Sequence, residues 1–178
     1  MFTWLTKRSD KRRKAGELYG AVVAQARNPA FYRALGVADT PEGRYELIAL
    51  HLVLALERLG QADVADEEMR RETLEAFVTD MDDAMREMGV GDVTVPKKVK
   101  KAAGGVYARG VAYRKALAET GDGALGDALR EYVYQGKPGT DVGPLATYVR
   151  ASVAHLAAEK AEALRTGVVT FPPVGEPS

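Results

Sequence analysis

Apolar residues recur at three- and four-residue spacing through most of the chain, which is the pattern of amphipathic helices. The segment from Pro41 to Leu59 is apolar on nearly every side, so we expect this helix to be buried in the core. Gly60 follows it and supplies a stop signal. No segment shows the alternating pattern that would predict a strand.

Helix-start and helix-stop residues divide the rest of the sequence into further helices. Proline follows a capping residue at Asn28-Pro29 and at Thr40-Pro41, and proline tolerates the first helical position. The predicted helices cover residues 9–27, 29–35, 41–59, 66–88, 96–117, 123–134 and 142–165. The sequence therefore predicts an all-α, single-domain bundle of six or seven helices over residues 1–178, with a short irregular tail at residues 167–178.

The composition of the chain excludes several kinds of functional site. The 178 residues include no cysteine, which excludes disulfides, zinc–thiolate sites, iron–sulfur clusters and a cysteine nucleophile. Twenty-five basic residues balance 25 acidic ones, and zero net charge argues against a dedicated nucleic-acid-binding protein. The longest uncharged apolar run, residues 47–56, is half the roughly 20 residues that a membrane span needs. The basic run follows the apolar N-terminal residues, which is not the order of a secretory signal.

The charges are segregated along the chain, and the first basic cluster lies in the N-terminal segment, residues 1–14. It joins Trp4 to Lys7, Arg8, Lys11, Arg12, Arg13 and Lys14. Two interpretations stay open: a solvated start of a helix, or a membrane-proximal segment in which Trp4 dips into a headgroup layer. In the second case, each basic residue adds about 1 kcal/mol at an anionic surface.

A second charge contrast separates two neighbouring predicted helices. Residues 63–87 carry ten acids against three arginines, whereas the helix that follows is basic. Its cationic residues near the start and middle are Lys97, Lys98, Lys100, Lys101 and Arg109. Helices joined by a short connection commonly pack antiparallel, so we hypothesise a salt bridge from Arg109 to Asp80 or Asp82 at their seam.

The same acids raise the question of a metal site. Asp80, Asp82 and Asp83 resemble the paired carboxylates that hold magnesium, but all-helical prenyl-diphosphate enzymes use two such motifs on facing helices, and no second one exists here. His51 and His155 are the only histidines, so a histidine-rich site is not available. We expect His51 to be a core residue hydrogen-bonded through one nitrogen instead of a haem or metal ligand. No catalytic residue, metal or cofactor is therefore expected.

Two stretches of the chain resemble the ubiquinol–cytochrome c chaperone family. The first comprises residues 25–32, 36–40, 43–46 and His51, and the second comprises residues 77–82, 86–92, 96–98 and 107–113. They include Gln-Ala-Arg-Asn-Pro-Ala-Phe-Tyr at 25–32 and Phe-Val-Thr-Asp-Met-Asp at 77–82. Their order and length over about residues 19–120 make the resemblance far more specific than any single tripeptide.

The resemblance implies a helical, non-catalytic assembly factor for the respiratory cytochrome bc1 complex. Such proteins hold newly made cytochrome b until haem and partner subunits are in place, so cytochrome b or another bc1 assembly component is the expected partner. Mitochondrial relatives work with a second small assembly protein and near the ribosomal exit, and they carry an N-terminal extension that this sequence lacks. The expected location is therefore the bacterial cytoplasm, with the basic N-terminal segment as a peripheral contact to the inner membrane.

An apolar groove rimmed by charge suits the binding of a membrane-protein client. The candidate surface combines the basic helix with the border of the acidic one, through Lys97, Lys98, Lys100, Lys101, Arg109, Tyr113, Asp80 and Asp82. Two rival functions stay open. One is a generic helical adaptor for another protein, and the less favoured one is a magnesium-dependent prenyl-diphosphate enzyme.

Overall fold

The computed structural model describes residues 3–175, with side chains from Lys7 onward, and these residues form eight helices. The helices are α1 Thr3–Ala26, α2 Pro29–Arg33, α3 Pro41–Leu59, α4 Glu67–Glu87, α5 Val95–Ala118, α6 Gly123–Tyr132, α7 Gly143–Ala158 and α8 Ala161–Arg165. Six of these described helices have ten or more residues, while α2 and α8 have five each. Residues 3–175 contain no strand, and the predicted all-α, single-domain bundle is confirmed.

Capping side chains explain why the middle helices start where they do. The Thr40 hydroxyl accepts a hydrogen bond from the Gly43 amide at 3.1 Å, and α3 begins at the next residue, Pro41, as predicted. The Asp66 carboxylate accepts a hydrogen bond from the Met69 amide at 2.9 Å and caps α4 in the same way. Both starts are local consequences of a capping residue followed by a good helix-forming segment.

Two helix boundaries differ from the sequence prediction. Helix α1 begins at Thr3 instead of Ser9, so the basic N-terminal cluster is itself helical. The single helix predicted over 142–165 is split into α7 and α8, because Glu159 adopts extended backbone angles. Its carboxylate accepts hydrogen bonds from the Thr170 amide at 2.8 Å and hydroxyl at 2.5 Å. The tail therefore holds Glu159 in a position that ends α7.

Helix α3 is the centre of the bundle, and it contacts α1, α4, α5 and α7. Its apolar residues from Leu47 to Ala55 are buried on all sides, as the sequence predicted. Phe31, Phe77 and Tyr113 are among the largest fully buried side chains around it. Burying a side chain of this size contributes roughly 1.5–3 kcal/mol, so the core depends on α3 being covered by every neighbour.

His51 is a core residue, and both of its ring nitrogens are hydrogen-bonded. Nδ1 lies 2.7 Å from the carbonyl oxygen of Leu47, and Nε2 lies 2.8 Å from the hydroxyl of Tyr148. Burial lowers the pKa of His51 to about 4, so the ring is neutral at pH 7. The core interpretation is confirmed, although the sequence predicted one hydrogen bond and the ring makes two.

The tail has no regular secondary structure in its described part, residues 167–175, but it packs on the bundle. The Phe171 ring lies 5.0 Å from the His51 ring, measured between centroids, and Val169 is buried. Gly167 has a φ of +89°, and a side chain there would collide with the backbone of Lys14. The irregular tail that the sequence predicted is thus a covering segment across α1, α3 and α7.

Candidate interaction surface

The N-terminal half of α5 presents four lysines to solvent. Val95 and Val99 are buried on the inner side of the helix, which turns Lys97, Lys98, Lys100 and Lys101 outward. Among the residues with described side chains, none of the four lysines takes part in a salt bridge. Together with Thr94 they line a shallow depression of about 630 Å³. This part of α5 is therefore an uncompensated positive surface.

Two exposed apolar side chains continue this surface along α5. Tyr107 is 76% exposed, and Val111, one helical turn later, is 46% exposed. Gly104 lies between the lysines and Tyr107 and has open space where a side chain would stand. No side chain at this position therefore separates the lysines from Tyr107. Tyr107 and Val111 were not predicted as surface residues, although both lie 100° or more from the buried Val106 and Tyr113 on a helical projection at about 100° per residue, which was a usable signal.

A second depression, of about 360 Å³, lies on the other side of the lysines, between α3, α4 and α5. Its lining includes Met85 of α4 and Lys98, Lys101 and Arg109 of α5. Tyr45 of α3 forms another wall and donates a hydrogen bond from its hydroxyl to the Ala102 carbonyl oxygen at 2.9 Å. A depression therefore lies between the acidic and basic helices, with Tyr45 at its inner edge, and its use as a binding groove stays a prediction.

Glycine at position 105 allows this contact. A β-carbon at Gly105 would lie 2.5 Å from the Tyr45 hydroxyl oxygen, which is closer than real side chains come. The nearest clash is with the end of a side chain that is itself hydrogen-bonded to α5. Gly105 therefore makes the close approach to Tyr45, whereas a β-carbon at Gly104 beside it would have no neighbour within 4 Å.

Arg109 has a different partner from the one hypothesised. Its Nε donates to Glu46 of α3 at 2.6 Å, its Nη2 also donates to Glu46, and its Nη1 donates to the Gly105 carbonyl oxygen at 2.9 Å. The guanidinium lies over the Tyr132 ring, with 4.6 Å between its central carbon and the ring centroid. The hypothesised salt bridge from Arg109 to Asp80 or Asp82 is therefore wrong.

Burial explains why Glu46 takes this arginine. The side chains of Arg109 and Glu46 are 14% and 9% exposed, so each is a nearly buried charge that requires an opposite charge beside it. Burial disfavours the charged guanidinium, but the hydrogen bonds to Glu46 and the negative charge of Glu46 together outweigh burial, so the pKa of Arg109 is raised. Glu46 is on α3, the helix that packs against both α4 and α5. From there its carboxylate lies beside Arg109, while the acids of α4 have other partners.

The two aspartates of the candidate surface on α4 bond to other residues of the bundle. Asp80 accepts a hydrogen bond from the Tyr19 hydroxyl of α1 at 2.7 Å. Asp82 pairs with Arg86 one turn later on α4, and Arg86 also pairs with Asp92. Neither aspartate forms a described salt bridge with a lysine of α5, so the acidic border does not neutralise the basic helix.

Tyr113 is not part of this surface. Its side chain is fully buried on the inner side of α5, where its ring packs edge-on against Tyr132 with centroids 6.0 Å apart. Its selection as a surface residue is therefore corrected. The Tyr113 hydroxyl has no hydrogen-bond partner among the described residues, and burial raises its pKa.

The basic N-terminal cluster is partly neutralised by the fold. Lys11 donates to Asp66 at the start of α4 at 2.6 Å, and Lys14 pairs with Asp10 at 2.6 Å. Lys7, Arg8, Arg12 and Arg13 are all exposed. Of these four, Arg13 alone forms described salt bridges, to Asp10 and Glu17. Trp4 lies outside the residues whose side chains the structure describes, and the membrane-proximal role of the segment stays a prediction.

Two further properties of the described residues bear on the other candidate chemistries. No described helix has both the length and the apolar character needed to cross a membrane. No cluster of three or more histidine, aspartate or glutamate side chains suited to a metal ion occurs within the same residues.

Comparison with known proteins places the chain in a family. The ubiquinol-cytochrome C chaperone model matches residues 33–171. The crystal structure of the Cbp3 homolog from Brucella abortus is similar, with 34% sequence identity, 98% of each chain covered and a TM-score of 0.84. No curated protein sequence matches the chain. The match over most of the chain and the shared fold show that this protein belongs to the ubiquinol-cytochrome C chaperone family.

Proposed function

We propose that this protein is a non-catalytic assembly chaperone of the cytochrome bc1 complex that holds newly made cytochrome b. Membership of the chaperone family and similarity to a Cbp3 homolog support an assembly role. The observation that carries the proposal is the open basic and apolar face of α5. We define the α5 surface as Lys97, Lys98, Lys100, Lys101, Tyr107 and Val111.

The chemistry of the α5 surface suits a protein client. Large exposed aromatic residues are typical centres of protein interfaces, and Tyr107 is one of the most exposed large apolar side chains among those described. The lysines beside it have no carboxylate of their own, so acidic side chains of a client would complement them and guide its approach. Their aliphatic stems add apolar contact at the rim. An amphipathic segment of cytochrome b with an acidic edge fits this description.

The test is co-purification of cytochrome b with charge-reversed variants from cells that express the bc1 complex. The triple variant K97E/K100E/K101E is expected to lose most of the bound cytochrome b. The matched control, R71E/K137E/K160E, makes the same change of charge at exposed basic residues outside α5 and is expected to retain it. Equal recovery of cytochrome b with both triple variants would remove the α5 surface from the proposal.

A second experiment tests the assembly role itself. Deleting the gene is expected to reduce the amount of assembled bc1 complex, and the wild-type gene is expected to restore it. Normal amounts of the complex in the deletion strain would contradict the proposed function whatever surface binds the client. If the gene for the triple variant K97E/K100E/K101E replaces the wild-type gene, the amount of assembled bc1 complex is expected to fall as well. That result would connect the α5 surface to assembly.

We also place the protein at the cytoplasmic side of the inner membrane, through the exposed charges of α1. Lys7, Arg8 and Arg12 have no described salt bridge that would compete with anionic lipid. The variant K7E/R8E/R12E is expected to shift the protein from the membrane fraction to the soluble fraction. An unchanged distribution between the two fractions would remove this segment as the membrane contact.

A further inference from the structure

A second basic concavity lies where α1, α2 and the start of α3 meet. It has a volume of about 630 Å³, within the range of about 300–1,000 Å³ that is usual for small-molecule sites. The lining residues that matter here are Arg27, Tyr32, Arg33, Asp39, Arg44 and Ile48, which we call the arginine basin. It shares no residue with the α5 surface, and the proposed function makes no use of it.

Local sequence brings the three arginines of the basin together. The Asn28 side chain accepts a hydrogen bond from the Ala30 amide at 3.0 Å and caps α2, so Arg27 lies just before the cap and Arg33 in the last turn. The cap at Thr40 starts α3 and places Arg44 in its first turns. Two consecutive capped helix starts therefore direct three guanidinium groups at one concavity.

The positive charge of the basin is only partly compensated. Arg44 pairs with Asp39 at 2.7 Å, and both side chains are exposed. Arg27 and Arg33 are exposed, and neither forms a salt bridge among the residues with described side chains. Three guanidinium groups and one carboxylate leave two positive charges in the basin.

Tyr32 stands between these charges. Its hydroxyl donates a hydrogen bond to the Ala26 carbonyl oxygen at 3.0 Å, which fixes the ring against the end of α1. Burial and Asp39 raise the pKa of Tyr32, while Arg44 and Arg27 oppose that rise, so both guanidinium groups are within electrostatic reach of its hydroxyl. Ile48, which is nearly buried, gives the basin an apolar floor.

We propose that the arginine basin binds a phosphate group. Guanidinium groups present paired N–H donors that match phosphate oxygens, which is why arginine is favoured at phosphate sites. A phosphate monoester carries about −1.5 to −2 charges at pH 7, which matches the two uncompensated positive charges of the basin. The apolar floor at Ile48 gives room for the carbon chain of an organic phosphate. The group comes either from a soluble phosphate compound or from an anionic lipid headgroup.

Titration calorimetry of the full chain with inorganic phosphate and with glycerol 3-phosphate tests the soluble source. Flotation with phosphatidylcholine vesicles, with and without phosphatidic acid, tests the lipid source. The variant R27Q/R33Q is expected to weaken binding by about tenfold or more in whichever of the two experiments shows binding by wild type, because it removes two guanidinium groups that form charge-assisted hydrogen bonds with phosphate. The control R71Q/R130Q removes two arginines elsewhere and is expected to bind like wild type.

The outcomes separate the sources and the alternatives. Loss of calorimetric binding in R27Q/R33Q assigns a soluble phosphate, and loss confined to phosphatidic acid vesicles assigns a headgroup. Equal binding by R27Q/R33Q and the control in both arms overturns the proposal. Polyglutamate that binds the basin while neither phosphate source does would also overturn it, because the ligand would then be an acidic peptide. None of these results depends on cytochrome b binding, so this inference and the proposed function fail separately.

Discussion

Two basic segments of this chain carry similar charge in the sequence but have different surroundings in the fold. In α1, Lys11 pairs with Asp66, Lys14 pairs with Asp10, and Arg13 pairs with Asp10 and Glu17. In α5, the four lysines of the α5 surface have no described carboxylate partner, although the acid-rich helix α4 lies next to α5. The acids of α4 that were expected there bond to α1 or to their own helix. A basic run is therefore available to a partner only where the tertiary structure leaves it unpaired.

The largest effect on the free energy of unfolding is expected at Arg109, the nearly buried cation of α5. Replacing Arg109 with methionine leaves the Glu46 carboxylate buried without a partner, which typically costs about 3–5 kcal/mol in the free energy of unfolding. Urea unfolding followed by circular dichroism measures it. The double variant E46Q/R109M removes both charges and is expected to recover much of the loss. A loss for R109M within about 0.5 kcal/mol, as at ordinary surface positions, would contradict the structural role of this pair.

The contrast between buried and exposed groups extends to the two histidines, and it predicts a pH dependence. The pKa of His51 is about 4 in the folded protein, below its ordinary value of 6.5, so the unfolded chain takes up the proton first as pH falls. The contribution of neutral His51 is complete above pH 6.5 and is lost as pH falls towards 4. Between pH 7 and pH 5 this amounts to about 2 kcal/mol of unfolding free energy.

Unfolding free energies measured at several pH values, on wild type and on H51Q, test this prediction. The slope between pH 7 and pH 5 is expected to shrink in H51Q, whose side chain does not titrate. H155Q is the matched control, because His155 is only half-buried and its Nε2 faces the Thr170 hydroxyl at 2.7 Å. An unchanged slope in H51Q would show that other groups, chiefly carboxylates, produce the acid sensitivity.

A smaller effect is expected at the salt bridge that ties the basic segment of α1 to α4. Lys11 and Asp66 are 22% and 11% exposed, between a surface pair and a buried one, so K11M is expected to cost about 1–2 kcal/mol. Asp66 also caps α4, and D66N keeps a capping oxygen while removing the charge, so it should cost less than D66A. Thermal unfolding of the three variants beside K7M, a change at an exposed lysine, measures the order. A K11M variant as stable as K7M would mean that the pair adds nothing.

The sequence predicted the helices well because their signals are local. Thr40 followed by Pro41 marks the start of α3, and Gly60 lies directly after its last residue. The ion pairs were predicted poorly because they depend on tertiary packing: Glu46 is 63 positions from Arg109, and nothing near either residue indicates the other. Tyr113 was misplaced for a related reason, since its packing against Tyr132 of α6 is a tertiary contact that no neighbouring residue in the sequence indicates.

The smallest effect on stability is expected at the α5 lysines, and this makes the client-binding experiment interpretable. Lys97, Lys100 and Lys101 are exposed and unpaired among the described residues, and glutamine forms helices about as well as lysine. The free energy of unfolding of K97Q/K100Q/K101Q in urea is therefore expected to lie within about 0.5 kcal/mol of the wild-type value. This variant should be clearly more stable than K11M. A loss as large as that of K11M would show that these lysines support the fold. Any loss of cytochrome b in their charge-reversed variant would then reflect damage to the protein, and the contrast between the two basic segments would disappear.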